Sequence, residues 1–531
     1  MNLSYLKSLM IIITGLFFCL SLSSCTKSDN SKSLIEIKTL KRGNGSDPET
    51  LDPQLARSES ALTIVRDLYE GLLTVDAKGN LIPGVAETWI QNDETNCVDF
   101  TLRHDARWSN GDLVTAEDFE RGWNFALEKT NAAPYSELLN PFTNKFYDAK
   151  GQATGLNIKI IDQNILAICV PFFHDELLAR LSIPVFYPRH KNTSLDQPIS
   201  NGAYKYARQV PQEYTHLSKN EFYRNKADVF FQEIIYITTE DSKSELKRYL
   251  SDEIDITVTI PSSDMNWLLE DKSKSVRRSP VLNSYFYGFN LDAEPFKDNI
   301  FLRRALSLAI DREVLVNNIL GTGEQVAWTL VPPMIANYTK VENKDSKLSQ
   351  EQRLEIAKKL YKEAGYSKQN PARFELRYNS SALHKKIAVA IASMWKQTLG
   401  VEVELYNEEW KVFIQNRRAG NTQMFRSGWI ADVNDASNFL ELFSLNSSLN
   451  DYRYKNIDFV THLNLAEVRP NERKLLLSEA EKMILNDYAL IPLYFYVSKH
   501  LVKPDVIGWE DNVLDVHLSQ YLSREETDRS E

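Results

Sequence analysis

FELRYN (374–379), LHKKIAVAIASMWKQTL (383–399) and VEVELYN (401–407) follow one another with few residues between them, and Gly400 divides the second from the third. The outer two alternate apolar with polar residues, the period of a half-buried strand. The middle stretch places Ile387, Ile391, Met394, Trp395 and Thr398 at helical spacing, and Gly400 supplies a left-handed stop. Strand, helix and strand of these lengths predict a parallel pair joined by a right-handed crossover. The C-terminal half is therefore expected to hold an α/β lobe, with Val401, Val403 and Leu405 facing one way.

The same reading extends along the chain. TLRHDARWSNG (101–111) is a strand leading into a turn, and Thr115 to Asp118 forms a capping box that opens a helix through Trp123 and Leu127. NGAYKYARQ (201–209) and YTHLSKN (214–220) read as a hairpin. FQEIIYITTE (231–240) and DEIDITVTI (252–260) read as strands flanking the helix DSKSELKRYL (241–250). Ser349 to Gln352 opens another helix that Gly365 stops. With 531 residues, no repeat and no Pro/Gly/Ser-rich linker, two to four α/β lobes joined by ordered segments are expected.

Composition narrows the function classes. The net charge of −10 argues against a nucleic-acid partner, and 24 Tyr, 24 Phe and 9 Trp suit either a large core or an enclosed ligand. There is no GxSxG, HExxH, CxxC or GxxxxGK, so no catalytic residue is assigned. GTGEQV (321–326) follows a helix rather than a strand and reads as a C-cap and turn. The eight His are scattered without metal-ligand pairing, so neither a metal nor a cofactor is expected.

At the N-terminus, Lys7 precedes the apolar run LMIIITGLFFCLSL (9–22), which ends in Leu22-Ser23-Ser24-Cys25. This reads as a signal peptide (1–25) with a lipobox-like end. Cleavage before Cys25 would let that residue carry lipid, with the polar stretch TKSDNSKS (26–33) as tether to the body. Cys97 and Cys169 remain in strand-like segments, and the sequence leaves open whether they pair.

GWIADVNDA (428–436) sets two carboxylates beside an apolar stretch. Asp435 reads as the start of the helix near Ala436. Asp432 is costly to bury unless a positive or hydrogen-bonding group meets it.

Ten blocks in order carry a resemblance: RDLYEGLL (66–73), PGVAETW (83–89), FTLRHDARWSNGDLVTAEDF (100–119), NGAY (201–204), YFYGFN (285–290), PFKDNIFLRRALSLAIDRE (295–313), YNSSALHKKIA (378–388), NEEWKVF (407–413), RSGWIAD (426–432) and YFYVSKHLVKP (494–504). Together they resemble the oligopeptide-binding proteins of bacterial peptide ABC importers, the extracytoplasmic solute-binding proteins of family 5, over almost the whole mature chain. The resemblance implies a periplasmic-binding-protein-like fold of class II type. Lobe one would comprise residues 26–69, 182–283 and 498–531, lobe two residues 284–497, and a small inserted domain residues 70–181. It implies a monomeric, lipid-anchored receptor at the outer face of a bacterial membrane, which closes around short peptides and delivers them to permease subunits.

By the same resemblance Asp432 receives the peptide ammonium, with Gly428 and Trp429 beside it. Trp410, Tyr135, Tyr496, Tyr285 and Tyr287 line the ligand, while His384, Arg417 and Arg426 neutralise carboxylates towards its other end. Departures are as telling. A lysine of the family pattern falls on Leu320, a main-chain-pairing Tyr-Asn-Asn near Val258, Thr259 and Ile260, and an acidic residue on Arg57, with Glu59 close by. A Cys pair of enteric members falls on Asn283 and Ile430. These changes make a narrower ligand the alternative: a murein tripeptide, a metal chelate, haem or a signalling peptide. A third reading is an envelope hydrolase using Asp432 and Asp435.

Overall fold

The computed structural model describes residues 38–92, 94–95, 97–143, 155–170, 173–445, 447 and 449–525. The leader, the lipobox with Cys25 and the tether lie outside the described residues. None of the described helices is long and apolar enough to cross a membrane.

The expected crossover is present. Strand Arg373–Asn379 runs parallel to Glu402–Glu408, with Leu376 opposite Leu405, and helix Ala382–Leu399 joins them. Ile387, Ile391 and Trp395 are buried along one helical face, and the Trp395 indole donates to the Leu306 carbonyl at 2.8 Å. Gly400 ends the helix at φ 81°, which favours glycine. These strands form one flank of a six-stranded mixed sheet. Its order is Gln325–Val326, Leu490–Leu501, Val276–Phe289, Met424–Ile430, Arg373–Asn379 and Glu402–Glu408. Alternation along Met424–Ile430 sends Met424 into a core that includes Tyr285 and Trp395, and Phe425 into another that includes Phe443 and Tyr452.

A second, four-stranded sheet has the order Thr39–Gly43, Glu233–Ile237, Tyr214–Lys219 and Tyr204–Val210, the last two being the expected hairpin. A third, between Ala86 and Cys169, contains the strands Ala86–Asn92, Cys97–Leu102, Ile165–Cys169 and Ile158–Asp162. Cys97 lies directly opposite Cys169 there, and the two form a disulfide. The second and third sheets share one apolar core, which runs from Leu40 through Phe100 and Trp123 to Tyr236. Both predicted capping boxes, at Thr115/Asp118 and Ser349/Gln352, are formed.

Segment 252–260 departs from the expectation. Among the described residues its β-bridges are two isolated ones, from Ile256 to Arg42 and to Val502. Its backbone meets the neighbouring chain at a few points, Asp255 N–H to the Lys41 carbonyl at 2.8 Å and Thr257 N–H to the Leu501 carbonyl at 3.0 Å. Side chains take the adjoining groups: the Glu245 carboxylate accepts the Val258 N–H at 3.0 Å, and the Thr257 hydroxyl oxygen accepts the Leu501 N–H at 2.9 Å. With those partners taken, no ladder extends along the alternating residues.

Two long strands, Val276–Phe289 and Leu490–Leu501, connect the small core of Leu246, Ile254 and Leu268 with the cores of the six-stranded sheet. They pair antiparallel, with a register irregularity between Pro280 and Ser284.

Candidate ligand site

The six-stranded sheet assembles one polar corner. Strand pairing sets Tyr285 opposite both Gly428 and Tyr494, and Tyr287 opposite Arg426. These side chains therefore share a face. Gly428 has a spatial role here: a Cβ at this position would lie 3.0 Å from the Ser284 carbonyl and 3.5 Å from Arg426 Nη2. The guanidinium uses that room. Arg426 lies 5.0 Å from the centre of the Tyr285 ring and donates to the Tyr496 hydroxyl at 3.2 Å. Tyr285 stacks on Tyr494 at 4.6 Å, and its hydroxyl meets His384 Nδ1 at 3.3 Å.

The charges of this corner are unbalanced. Burial and the Arg426 charge push the His384 imidazole down to about 3, so it is neutral at physiological pH. Arg426 Nε is buried without an acceptor, and Arg426 forms no ion pair among the described residues. Arg417 differs. It pairs with Asp451 at 2.9 Å and packs over the Phe425 ring at 4.7 Å, so its charge is already met inside the protein.

At the end of the same strand the chain turns into Asp432. Asn438 fixes the turn, its side-chain oxygen accepting from the Trp429 indole at 2.9 Å and from the Asp432 N–H at 3.1 Å. The Asp432 carboxylate makes no hydrogen bond or ion pair among the described residues. Burial lifts it to about 6; Arg66 and Arg180 pull it down in part, and Glu59 opposes them. Tyr135 lies within reach of this charge, and its phenol is raised by burial and by Asp432. Glu59 and Arg66, 3.6 Å apart on helix Glu59–Leu68, face a cavity of about 370 Å³. Asn283, Ile430 and Ala431 line it from the other side.

Asp435 is bound up elsewhere, accepting from the Ser437 N–H at 2.9 Å and from Arg473 at 2.9 Å. The two carboxylates are thus divided between different tasks, and this does not favour a hydrolytic pair. Trp410 stands exposed at the start of helix Trp410–Ala419, against Phe413. Asn283 and Ile430 are direct cross-strand partners, the relation that a disulfide pair at these positions requires. Leu320 is buried at the end of a π-helical turn. Arg66 and Asn438 were not singled out in the sequence. Arg66 follows Glu59 by seven residues, two helical turns on one face, which was a readable signal, whereas Asn438 offered none.

Residues 80–451 match the family described as bacterial extracellular solute-binding proteins, family 5. The periplasmic oligopeptide-binding protein OppA of Salmonella typhimurium is 35% identical, the alignment covering 90% of each chain. The murein tripeptide binding protein MppA of Escherichia coli has a solved structure that superposes with a TM-score of 0.82 at 32% identity, covering 92% of this chain and 99% of that one. Haemophilus influenzae OppA, solved with RPPGFSPFR, superposes with a TM-score of 0.81 at 30% identity over 92% of this chain and 99% of its own.

Proposed function

The chain belongs to the bacterial extracellular solute-binding proteins of family 5 and has their two-lobed periplasmic-binding-protein fold, and we propose that it is a receptor that captures short peptides between its lobes. One observation carries this reading: the Asp432 carboxylate is partly buried, raised by that burial to about 6, and has no cationic partner in contact with it among the described residues. A peptide α-ammonium supplies the missing charge, and a charge-assisted hydrogen bond to it offsets the cost of burial. Gly428 lets ligand main chain approach, and Trp429 and Tyr135 flank the first residue. At the other end Arg426, within its frame of Tyr285, Tyr287 and Tyr496, receives a carboxylate. His384 acts there as a neutral hydrogen-bonding group, and Arg417 supports the fold from behind.

Lipid attachment at Cys25, monomeric action and delivery of the ligand to permease subunits belong to the same proposal, as does the division into lobes near residues 283 and 498. The register irregularity at Pro280–Ser284 supports that boundary. The experiment is calorimetry of the mature protein with di- to pentapeptides and a murein tripeptide. Binding by the wild type that Asp432→Asn weakens supports the reading. If no peptide binds, or if the substitution changes nothing, the ammonium clamp is wrong.

A narrower ligand is the second reading. The observation favouring it is at Val258, whose N–H is taken by Glu245 instead of being offered to a ligand strand. A murein tripeptide bound at least tenfold more tightly than any common peptide would decide for it.

A further inference from the structure

The cavity beside Glu59 and Arg66 has a third wall, and it brings together side chains that the peptide reading does not use. His500, Asp515 and His517 each turn a ligand atom towards one point, all within 4.8 Å of one another. His500 Nε2 lies 3.1 and 3.2 Å from the two Asp515 oxygens, and His517 Nε2 lies 3.0 Å from Oδ1. His500 has its tautomer set: Nδ1 faces the Thr257 carbonyl at 3.0 Å, which can only accept, so Nδ1 carries a proton and Nε2 is turned to the cluster. A ligating histidine whose other nitrogen donates to a carbonyl is the arrangement that orients imidazoles at metal centres. His517 is held by a different means, stacked on the Trp509 indole at 3.6 Å.

Two imidazole nitrogens and a carboxylate converge on one small space, and something positive must lie among them, either protons or one cation. Bonds of about 2.0–2.2 Å in a tetrahedral set place neighbouring ligand atoms about 3.4 Å apart. Both histidine–carboxylate distances are within a few tenths of an ångström of that, and the imidazole nitrogens lie within 4.8 Å of each other. The side chains keep 13%, 32% and 6% of their surface for His500, Asp515 and His517, so the opening is on the Asp515 side. Arg42 donates to the His517 carbonyl at 2.8 Å, and the paired Glu59 and Arg66 line the same cavity.

We propose that His500, Asp515 and His517 form a binding site for a divalent transition-metal ion of the zinc class, with its remaining coordination position open to the inter-lobe cavity. Two imidazoles and one carboxylate suit zinc, cobalt or nickel and do not suit magnesium or calcium, which take oxygen ligands. The site shares the cavity with the proposed peptide site but uses none of its side chains, and it needs no peptide to fill.

The test uses the mature full chain, stripped with chelator and titrated with Co²⁺ or Zn²⁺ alone. Co²⁺ should give the visible absorption of a low-symmetry site, displaced by one equivalent of Zn²⁺, while Mg²⁺ has no effect. Asp515→Asn and His517→Gln should each weaken Zn²⁺ binding at least tenfold. Peptide calorimetry on the same samples keeps the two proposals apart, since loss of metal binding leaves the peptide affinity of metal-free protein in place. Should a variant fail to fold, the wild type still decides: Zn²⁺ should protect His500 and His517 from diethyl pyrocarbonate, mapped by mass spectrometry. Absence of Co²⁺ absorption, unchanged affinity in both folded variants, or no protection would each overturn the site.

Discussion

Arg180, at the end of helix Asp175–Arg180, donates to the Glu441 carboxylate at 3.0 Å, and so ties the core around Trp123 to the core around Phe443. The contact does not stand alone. Glu176 lies between Arg180 and Arg473, and Arg473 also holds Asp435 and Glu467. His174 meets Glu467 at 3.3 Å; although burial raises that carboxyl, the His174 hydrogen bond and the Arg473 charge hold it down to about 2.

Such a cluster should act as a clasp on the closed form. Glu441→Gln removes one side of a pair that is neither fully exposed nor fully buried, for which a loss of about 1–2 kcal/mol is reasonable. Peptide affinity should fall roughly tenfold, mostly through faster release. Stopped-flow dissociation of a fluorescent peptide measures it; an unchanged off-rate would mean the clasp does not report on closure.

If Asp432 receives the ligand ammonium as proposed, capture should depend on pH. A carboxyl raised from 3.8 to about 6 in the folded protein contributes stability that is fully present below about pH 3.8 and is lost as the pH rises through 6. A bound ammonium favours the carboxylate and reverses that preference. Affinity should therefore rise between about pH 4 and 6 and level off above. Asp432→Asn should flatten this profile, raise the melting temperature of the ligand-free protein at pH 7, and weaken binding roughly 10- to 100-fold there.

Arg426 and Arg417 should separate cleanly. Arg426→Gln should abolish the preference for a free C-terminal carboxylate over its amide, measured with matched peptides by calorimetry, while the fold survives. Arg417→Met leaves Asp451 buried without its partner and should cost about 3–5 kcal/mol of stability. Its effect belongs in thermal unfolding; a folded Arg417→Met protein that loses only carboxylate preference would reverse the assignment.

The Cys97–Cys169 bond closes a 72-residue separation within one small sheet. Cys97→Ala should lower stability by about 2–4 kcal/mol without altering peptide selectivity, and mass spectrometry under non-reducing conditions should find the two residues linked.

Much of the fold could be read in advance where local chemistry repeats a simple signal. The crossover around Ala382–Leu399 combined two alternating runs with a long helical period and a glycine stop. The capping boxes at Thr115 and Ser349 were four residues long and complete in themselves. DEIDITVTI misled because alternation reports half-burial and not how far a ladder runs; beyond Thr257 the Glu245 carboxylate, not a strand, accepts the Val258 N–H. The site was legible only as resemblance. Nothing near Arg417 announces that Asp451, 34 residues further on, already holds it, and nothing near His384 announces Tyr285 against its ring. The fate of Cys97 and Cys169 depended on strand order, which neither segment encodes alone. His500 and the Asp515–His517 pair were passed over because their spacing matches no common ligand pattern.

Val276–Phe289 and Leu490–Leu501 lie side by side along their length, with a flaw in register near Pro280. Two rods fastened together resist stretching and sideways slip, but they bend readily at a shared weak point. A bend there, at the proposed lobe boundary, would leave the molecule close to a single mechanical freedom, the angle between its halves. A membrane partner that touched the outer rim of both halves would then need to sense only that angle to know whether cargo is aboard, whatever the cargo's sequence.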